Sequence, residues 1–222
     1  MILKRVFSYV YPYKCIFCGD TLQSDASIEA CEPCLSMIEF IEGDAPKKDF
    51  YPSQACDGVF CLCTYEGLVR EAILRFKFNE KDYYHRCFTK LLVAKIQDYH
   101  KNNPFDICLS VPMHKERIKK RGYNQARLLS NDIALLLNIE EASDFFVRDV
   151  YTQKQSLQKK ELRKENLKAS FKVLDKEKIA LKKILLLDDI ITTGSTVEAC
   201  SKILKEAGAK SVHIAVIASA RR

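Results

Sequence analysis

Residues 184–196 read ILLLDDIITTGST, and this stretch decides the expected fold. The four apolar residues 184–187 predict a short strand buried on both faces, as in a parallel sheet. Asp188 and Asp189 follow where such a strand emerges from the sheet. Apolar residues at helical spacing then run to Gly208, which predicts a helix and its end. Between the acid pair and this helix lies a hydroxyl-rich turn, made of Thr192, Thr193, Gly194, Ser195 and Thr196.

The turn has the chemistry of a ribose 5-phosphate site. A helix start offers unpaired backbone N–H groups and the positive end of the helix dipole, and both favour a phosphate. Gly194 lets the backbone wrap closely, and Ser195 with Glu198 fits a capping box. The paired carboxylates can accept hydrogen bonds from the vicinal hydroxyls of a ribose, or orient a magnesium shell. The alternative is an ordinary strand, turn and helix with a solvated acidic pair.

This segment resembles the phosphoribosyl-pyrophosphate (PRPP) motif of type I phosphoribosyltransferases at every position. The resemblance implies an α/β domain with a parallel sheet and flanking helices. It also implies that Asp188 and Asp189 bind the ribose hydroxyls and that residues 192–196 cradle the 5-phosphate. Purine-salvage members usually carry an aspartate at the position of Thr192, so its absence disfavours a hypoxanthine or guanine salvage enzyme.

Four cysteines near the N-terminus form two C-x-x-C pairs, Cys15 with Cys18 and Cys31 with Cys34. Twelve residues separate the pairs. This is a zinc-ribbon arrangement, in which each pair is a knuckle that gives two thiolates to one tetrahedral ion. Four protein ligands leave no open position, so the predicted zinc is structural. A disulfide or a redox C-x-x-C is the competing interpretation.

Length and composition suit one α/β domain with a small appendage. The chain has 222 residues, of which 47% are hydrophobic and 29% charged, as in soluble globular proteins. We expect a zinc-ribbon domain at residues 1–42 and a phosphoribosyltransferase-like domain at residues 57–222. The sequence shows no membrane-length apolar run and no signal-peptide core near its start. With ten cysteines, this predicts a cytoplasmic protein without membrane insertion.

Positive charge is concentrated in the second half of the chain. Residues 1–103 hold 13 Lys and Arg against 14 Asp and Glu, whereas residues 104–222 hold 23 against 15, a net charge of +8. A basic half suits a polyanionic ligand, which is a pyrophosphorylated sugar, a nucleic acid or both. Solvated lysines in loops are the alternative.

A basic loop is expected after a strand predicted at residues 106–111. Val111 is the last residue of this strand and Pro112 ends it, and the loop then carries several cations. A basic loop at a strand end, across the sheet from a phosphate turn, suits a diphosphate. Arg117 and Arg121 are favoured because a guanidinium grips phosphate oxygens bidentately. The alternative is a solvated basic loop.

Residues 111–125 read VPMHKERIKKRGYNQ, and this run resembles the ComF family. Those proteins pair an N-terminal four-cysteine zinc ribbon with a phosphoribosyltransferase domain and are linked to competence for natural transformation. The resemblance makes residues 111–121 a pyrophosphate loop. The lysine-rich stretch at 151–169 resembles the loop that closes over the sugar diphosphate in phosphoribosyltransferases, and a solvated face is the alternative. Proteins of the GntX type are relatives, and this sequence does not separate competence from that wider group.

Two functions follow from these observations. In the first, the protein binds PRPP or ribose 5-phosphate and handles imported single-stranded DNA, with phosphate contacts from Lys119, Lys120 and Arg121 and base stacking on aromatics such as Tyr123. Its expected macromolecular partners are single-stranded DNA and a DNA-translocation helicase or another competence protein. In the second, a phosphoribosyltransferase moves ribose 5-phosphate from magnesium-bound PRPP to an unidentified acceptor. No catalytic acid–base residue and no acceptor pocket are identifiable from the sequence.

Overall fold

A computed structural model describes residues 13–23, 26–43, 45–47, 55–148 and 170–220. Within these ranges the α-helices are Glu32–Met37 (α1), Gly67–Phe78 (α2), His85–Asn102 (α3), Lys115–Arg121 (α4), Gln125–Leu137 (α5) and Ser195–Glu206 (α6). The strands are Gly58–Thr64 (β1), Ile107–Ser110 (β2), Glu140–Glu141 (β3), Phe146–Arg148 (β4), Phe171–Val173 (β5), Lys183–Ile191 (β6) and Ser211–Ser219 (β7). Short 3-10 turns lie at Asp82–Tyr84 and Ser143–Phe145.

Five strands form one sheet in the order β1-β7-β6-β2-β3, and every neighbouring pair is parallel. The expected parallel α/β sheet with flanking helices is therefore confirmed. Strand β6 is longer than the sequence predicts, because its ladder with β7 continues through Asp188 to Ile191. The expectation that the acid pair lies beyond the strand is wrong, and both carboxylates belong to its last part.

Apolar layers cover both faces of the sheet. On one face, α2, α3 and α5 contribute buried side chains such as Phe76, Phe88 and Ile133. On the other face, α6 and the antiparallel pair β4–β5 contribute Leu204 and Phe146. Each fully buried side chain of this size contributes roughly 1.5–3 kcal/mol to stability. Covering both faces is what makes the central strands continuous apolar runs.

The direction in which successive strands are added to the sheet reverses between β2 and β6. From β2 the chain passes through α4 and α5 to β3, and from β6 it passes through α6 to β7, on the other side of β6. Helices α5 and α6 pack on opposite faces of the sheet. Such a reversal opens a crevice outside the carboxyl ends of the two strands, where open α/β sheets bind their ligands. The crevice is flanked by the residues after Ser110 and by the end of β6.

The four-cysteine segment packs against the helices of the α/β unit. Ile16 and Phe17 are buried in the same apolar cluster as α2 and α3, and the Phe17 ring meets the edge of Phe88 with centroids 6.2 Å apart. Glu29 accepts a salt bridge from Lys90 of α3 at 3.1 Å. The segment and the helices thus share a core, and the predicted boundary between domains at residues 42 and 57 stays a prediction.

Two further expectations concern the remainder of the chain. The lysine-rich stretch at 151–169 lies outside the described residues. None of the helices in the described ranges is both long enough and apolar enough to cross a bilayer.

Candidate functional site

The turn after β6 is shaped by one glycine. Gly194 has φ of +79° and is the residue that precedes the first turn of α6. A left-handed conformation of this kind is open to glycine at little cost and strains other residues. The hydroxyls of Thr193 and Ser195 lie 2.5 Å apart, and the helix start faces the same turn. The arrangement has the donors that a phosphate group requires.

The expected capping box at this turn is wrong. Gly194 takes the cap position, so Ser195 is the first helical residue and its side chain does not cap the helix. The backbone N–H of Glu198 donates to the Gly194 carbonyl at 2.9 Å, and the Glu198 carboxylate pairs with Lys202 at 3.1 Å. The Ser195 hydroxyl therefore does not cap the helix and lies next to the Thr193 hydroxyl in the turn.

The two carboxylates have different surroundings. Asp189 forms a salt bridge with Lys77 of α2, with Oδ2 and Nζ 2.8 Å apart and both side chains only 12% exposed. Asp188 accepts a hydrogen bond from the Asp189 backbone N–H at 2.8 Å. Burial and the neighbouring Asp189 carboxylate raise the pKa of Asp188 to about 7. A bound cation would favour the charged form of Asp188 and so oppose this shift.

The basic segment is a helix rather than the expected loop. Helix α4 begins after His114, whose ring nitrogen accepts from the Glu116 backbone N–H at 3.2 Å, and it ends at Gly122 with φ of +86°. None of its residues is buried, so no apolar stripe marks it in the sequence. Arg117 and Arg121 lie four residues apart on one face and are half-buried. Lys119 and Lys120 are exposed.

Arg121 reaches the neighbourhood of the acid pair. Its guanidinium donates to the Gln125 side chain at 3.2 Å and lies 4.9 Å from the centre of the Phe78 ring. Burial lowers the pKa of Arg121 and the charge of Arg117 adds to this effect, whereas the Asp189 carboxylate opposes it. The structure therefore brings the arginines favoured for diphosphate binding towards the end of β6.

Two cations near this site have no predictive signal in the sequence. Lys77 lies in the last turn of α2, an ordinary amphipathic helix, and Arg148 lies on β4, far in sequence from the acid pair and from α4. Burial lowers the pKa of Arg148 and nearby Arg117 lowers it further, while its guanidinium lies 5.1 Å from the Phe171 ring centre. Only the packing of separate elements brings these side chains to the crevice.

The start of the predicted pyrophosphate loop is held by backbone contacts. The Val111 N–H donates to the Leu187 carbonyl at 2.8 Å, and the Val111 carbonyl accepts from the Asn124 side chain at 3.1 Å. Pro112 is buried and has no N–H to offer. These two residues lead the chain from β2 towards α4, and the groups with phosphate-binding chemistry are the guanidinium groups of that helix.

The R-G-Y-N-Q segment, residues 121–125, is joined to the last turn of α2 by hydrogen bonds. The Tyr123 hydroxyl donates to the Phe76 carbonyl at 2.5 Å, and the Gln125 side chain donates to the same oxygen at 3.3 Å. Burial raises the pKa of Tyr123 to about 12, and its ring lies against Phe76 with centroids 5.9 Å apart. The expectation that Tyr123 is an exposed base-stacking platform is wrong, because the ring is half-buried and its hydroxyl is engaged.

The four N-terminal cysteines converge. Their Sγ atoms all lie within 4.8 Å of one another, and those of Cys18 and Cys31 are 3.7 Å apart. Tetrahedral zinc with Zn–S bonds of about 2.3 Å places its sulfurs about 3.8 Å apart, so the donor set fits zinc. The first pair forms a tight turn that closes at Gly19, as expected for a knuckle. The second pair is not a knuckle, because Cys31 caps α1 and Cys34 lies within that helix.

Electrostatics within the cluster also suit a metal ion. Burial and the three neighbouring thiols raise the pKa of Cys34 well above its ordinary range. Burial would also raise the pKa of Cys15, but backbone N–H donors from Cys18, Cys31 and Phe17 lower it to about 7. Closely packed thiols resist ionising together, and a divalent cation removes that resistance.

Comparisons with known proteins agree with this architecture. The family described as "Phosphoribosyl transferase domain" matches residues 118–222. Competence protein F of Haemophilus influenzae is 28% identical over 222 residues, which cover 92% of this chain and 96% of that protein. Competence protein ComFC of Streptococcus pneumoniae is 26% identical, with 90% and 96% covered. The DNA utilization protein YhgH of Escherichia coli is 28% identical, with 69% and 68% covered.

Solved phosphoribosyltransferases resemble the chain more distantly. A crystal structure of an adenine phosphoribosyltransferase superposes with a TM-score of 0.42 and 12% identity, covering 63% of this chain and 74% of that one. At this distance the likeness says nothing about function. The family match and the full-length relatives are the informative results. The chain is thus similar over most of its length to competence protein F and ComFC, and its residues 118–222 match the phosphoribosyl transferase domain.

Proposed function

We propose that the protein binds PRPP or ribose 5-phosphate in the crevice between the carboxyl ends of β2 and β6. In this proposal the turn at residues 192–196 holds the 5-phosphate, and Asp188 and Asp189 bind the ribose hydroxyls. Arg117 and Arg121 bind the diphosphate. The observation that carries the proposal is the convergence of the acid pair, the glycine turn and the half-buried arginine face at one reversal of the sheet.

Magnesium would accompany the diphosphate. Magnesium prefers oxygen ligands and binds through one or two carboxylates together with substrate phosphates. The oxygens of Asp188 and Asp189 are donors of this kind, and a bound cation would lower the raised pKa of Asp188 and favour its carboxylate form. A separate, structural zinc ion would be held by the thiols of Cys15, Cys18, Cys31 and Cys34.

The second part of the proposal is the handling of imported single-stranded DNA in the cytoplasm. Lys119 and Lys120 are exposed on α4 and can contact phosphates, with Arg121 beside them. Phe78 is 63% exposed and already lies against the Arg121 guanidinium, so it replaces Tyr123 as the aromatic on which a base would stack. Relatives with names that refer to competence and DNA utilization support this task, with a DNA-translocation helicase or another competence protein as partner.

An active phosphoribosyltransferase is the alternative function. The same crevice would then balance charge on the departing diphosphate, with arginines on one side and the acid pair on the other. The observation in its favour is the number of cations that approach the acid pair, since Lys77 joins Arg121 there. The acceptor is unassigned, and we assign no acid–base residue.

Isothermal titration calorimetry separates these proposals. The ligands are PRPP with and without magnesium, ribose 5-phosphate, and a short single-stranded DNA at two salt concentrations. We expect magnesium-dependent PRPP binding and DNA binding that weakens as salt rises. Absence of PRPP binding at millimolar ligand would contradict the first part of the proposal. Pyrophosphate release in the presence of a candidate acceptor, without DNA binding at low salt, would favour the enzyme.

A further inference from the structure

The last turn of α2 contacts three separate parts of the molecule through three consecutive residues. Arg75 donates to the carbonyls of Ile16 and Phe17, at 2.9 and 2.7 Å, inside the turn between Cys15 and Cys18. Phe76, the next residue, accepts hydrogen bonds at its carbonyl from two side chains of the R-G-Y-N-Q segment. Lys77 then pairs with Asp189 at 2.8 Å.

The geometry of a helix end explains why one turn can do this. The last carbonyls of a helix have no partner within it, so the Phe76 carbonyl is free to accept from outside. Side chains at consecutive positions point about 100° apart around the axis, so they reach different neighbours. Phe76 is fully buried between the two outer contacts and fixes the turn in the core.

The contact at each end depends on geometry set elsewhere. The carbonyls that Arg75 binds belong to the turn that brings Cys15 and Cys18 to one ion, so their direction depends on how the thiols are held. The Lys77 ammonium lies in a largely buried pair, where displacement of one partner leaves a poorly solvated charge. The contacts to the knuckle and to Asp189 therefore lie on one helical turn.

We propose that residues 75–77 couple the cysteine cluster to the sugar-phosphate site, with Arg75 and Lys77 as positioning residues. The cluster holds Arg75, the buried turn holds Lys77, and Lys77 orients Asp189 for the ligand. The coupling rests on the sugar-phosphate site proposed above. By linkage, the sugar phosphate and the metal then affect each other's affinity by the same factor. Because residues 75–77 form one turn, a change at Lys77 should also weaken metal binding by the cysteines.

Two variants and two controls test the coupling. Arg75→Met removes both hydrogen bonds to the knuckle and keeps a helix-forming side chain of similar length, and Arg70→Met makes the same change at an exposed position of the same helix. Lys77→Gln removes the charge at Asp189, and Lys101→Gln is its exposed control. Circular dichroism establishes that each variant is folded before any measurement.

The first measurement is the rate at which a chromogenic chelator removes zinc from the folded protein, and it needs no sugar phosphate. Contacts that orient metal ligands typically contribute 10- to 100-fold in metal affinity. Losses of affinity fall mostly on the dissociation rate, so we expect Arg75→Met to release zinc about tenfold faster. Lys77→Gln, remote from the cysteines, should also accelerate release, and both controls should match the parent. Release at the parent rate in Lys77→Gln would overturn the coupling.

The second measurement is the Kd for magnesium–PRPP in both single variants and in the double variant. We expect Arg75→Met to raise Kd by roughly fivefold or more. If Arg75 acts through Lys77, adding Arg75→Met to Lys77→Gln should raise Kd little further, whereas independent effects would multiply. Multiplied effects, or parental affinity in Arg75→Met, would overturn the proposal. A parent that binds no PRPP would refute the sugar-phosphate site, while the zinc-release result would still decide the coupling.

Discussion

The cysteine cluster and the acid pair of β6 both concentrate groups that carry negative charge, yet their surroundings differ. The thiols of the cluster have chiefly one another as neighbours, all within 4.8 Å. Asp189 has the Lys77 ammonium at 2.8 Å and the Arg121 guanidinium nearby. A metal ion is therefore expected to stabilise the cluster, whereas Asp189 already has a cation of the protein as its partner. Loss of metal should cost folding energy, and loss of the sugar phosphate should cost little.

Removing one thiolate should have the largest effect. Cys31→Ser should lose the zinc ion and destabilise the N-terminal segment, because metal binding in zinc-finger peptides contributes on the order of 10 kcal/mol or more. Elemental analysis and thermal unfolding measure the two losses. Cys56→Ser, outside the cluster, is the control and should keep one zinc per chain. Much less than one zinc in parental protein purified without chelator would show that the cluster is not a zinc site.

Neutralising the acid pair should weaken ligand binding strongly and leave the chain folded, although less stable because Lys77 loses its partner. Charge-assisted hydrogen bonds contribute roughly 1.5–3 kcal/mol each, so Asp188→Asn with Asp189→Asn should weaken magnesium–PRPP binding by at least about 100-fold. Calorimetry measures the affinity, and Asp98→Asn on the surface is the control. Because Asp189 is paired with Lys77, its loss also leaves a cation without its partner, so circular dichroism must accompany the titration. Parental affinity in the double variant would refute the role assigned to the pair.

A single change at the acid pair should stabilise the protein in a pH-dependent way. Burial and Asp189 raise the pKa of Asp188 to about 7, above its ordinary value of 3.8, so the folded chain binds this proton more tightly than the unfolded chain does. Stability consequently falls as pH rises through the window between these two values. Asp188→Asn removes that loss.

The gain from Asp188→Asn, relative to the parent, should grow by roughly 2 kcal/mol between pH 5 and pH 8. Urea denaturation at several pH values measures it. Asp98→Asn should show no such trend. A gain that does not change with pH would mean that Asp188 is not buried as a strained carboxylate.

The smallest effect concerns the exposed cations of α4. Each phosphate contact steepens the salt dependence of single-strand binding by about 0.7 in log–log slope, so changing Lys119, Lys120 and Arg121 to Ala should flatten it by up to roughly 2 units. The loss should be equal across DNA sequences, because phosphate contacts carry no base information. Filter binding at several salt concentrations measures the slope. Lys172→Ala with Lys176→Ala, also exposed in the basic half, is the control.

The same variants sharpen the contrast between the two faces of α4. Lys119→Ala with Lys120→Ala should weaken DNA binding alone, since both side chains are exposed, whereas Arg121→Ala should also weaken PRPP binding. A slope that is unchanged in the triple variant would place the DNA site elsewhere. Equal loss of PRPP affinity in the lysine pair would mean that the two faces are not separate.

Much of the fold could be predicted because its signals are local. A C-x-x-C pair places two thiols within reach of one ion by spacing alone, and an apolar strand followed by Gly194 and a periodic helix has few other conformations. Helix α4 was missed because it buries no side chain, so it leaves no apolar periodicity to detect. The sequence predicts a strand shorter than β6, because the extension past Asp188 depends on hydrogen bonding to β7 and not on the composition of β6 itself.

By itself, the sequence determined the parallel α/β class, the four-cysteine set and the order of acid pair, glycine turn and helix. Only the tertiary structure decided which cations complete the site and that α2 contacts both the cysteine turn and Asp189. It also decided that Tyr123 is engaged in a hydrogen bond to the Phe76 carbonyl and is not an exposed ring for base stacking. The reason is that hydrophobic periodicity records which face of an element is buried, but not its neighbours there. An ion pair between Lys77 and Asp189 requires two distant elements to pack in one register, and no local pattern specifies that.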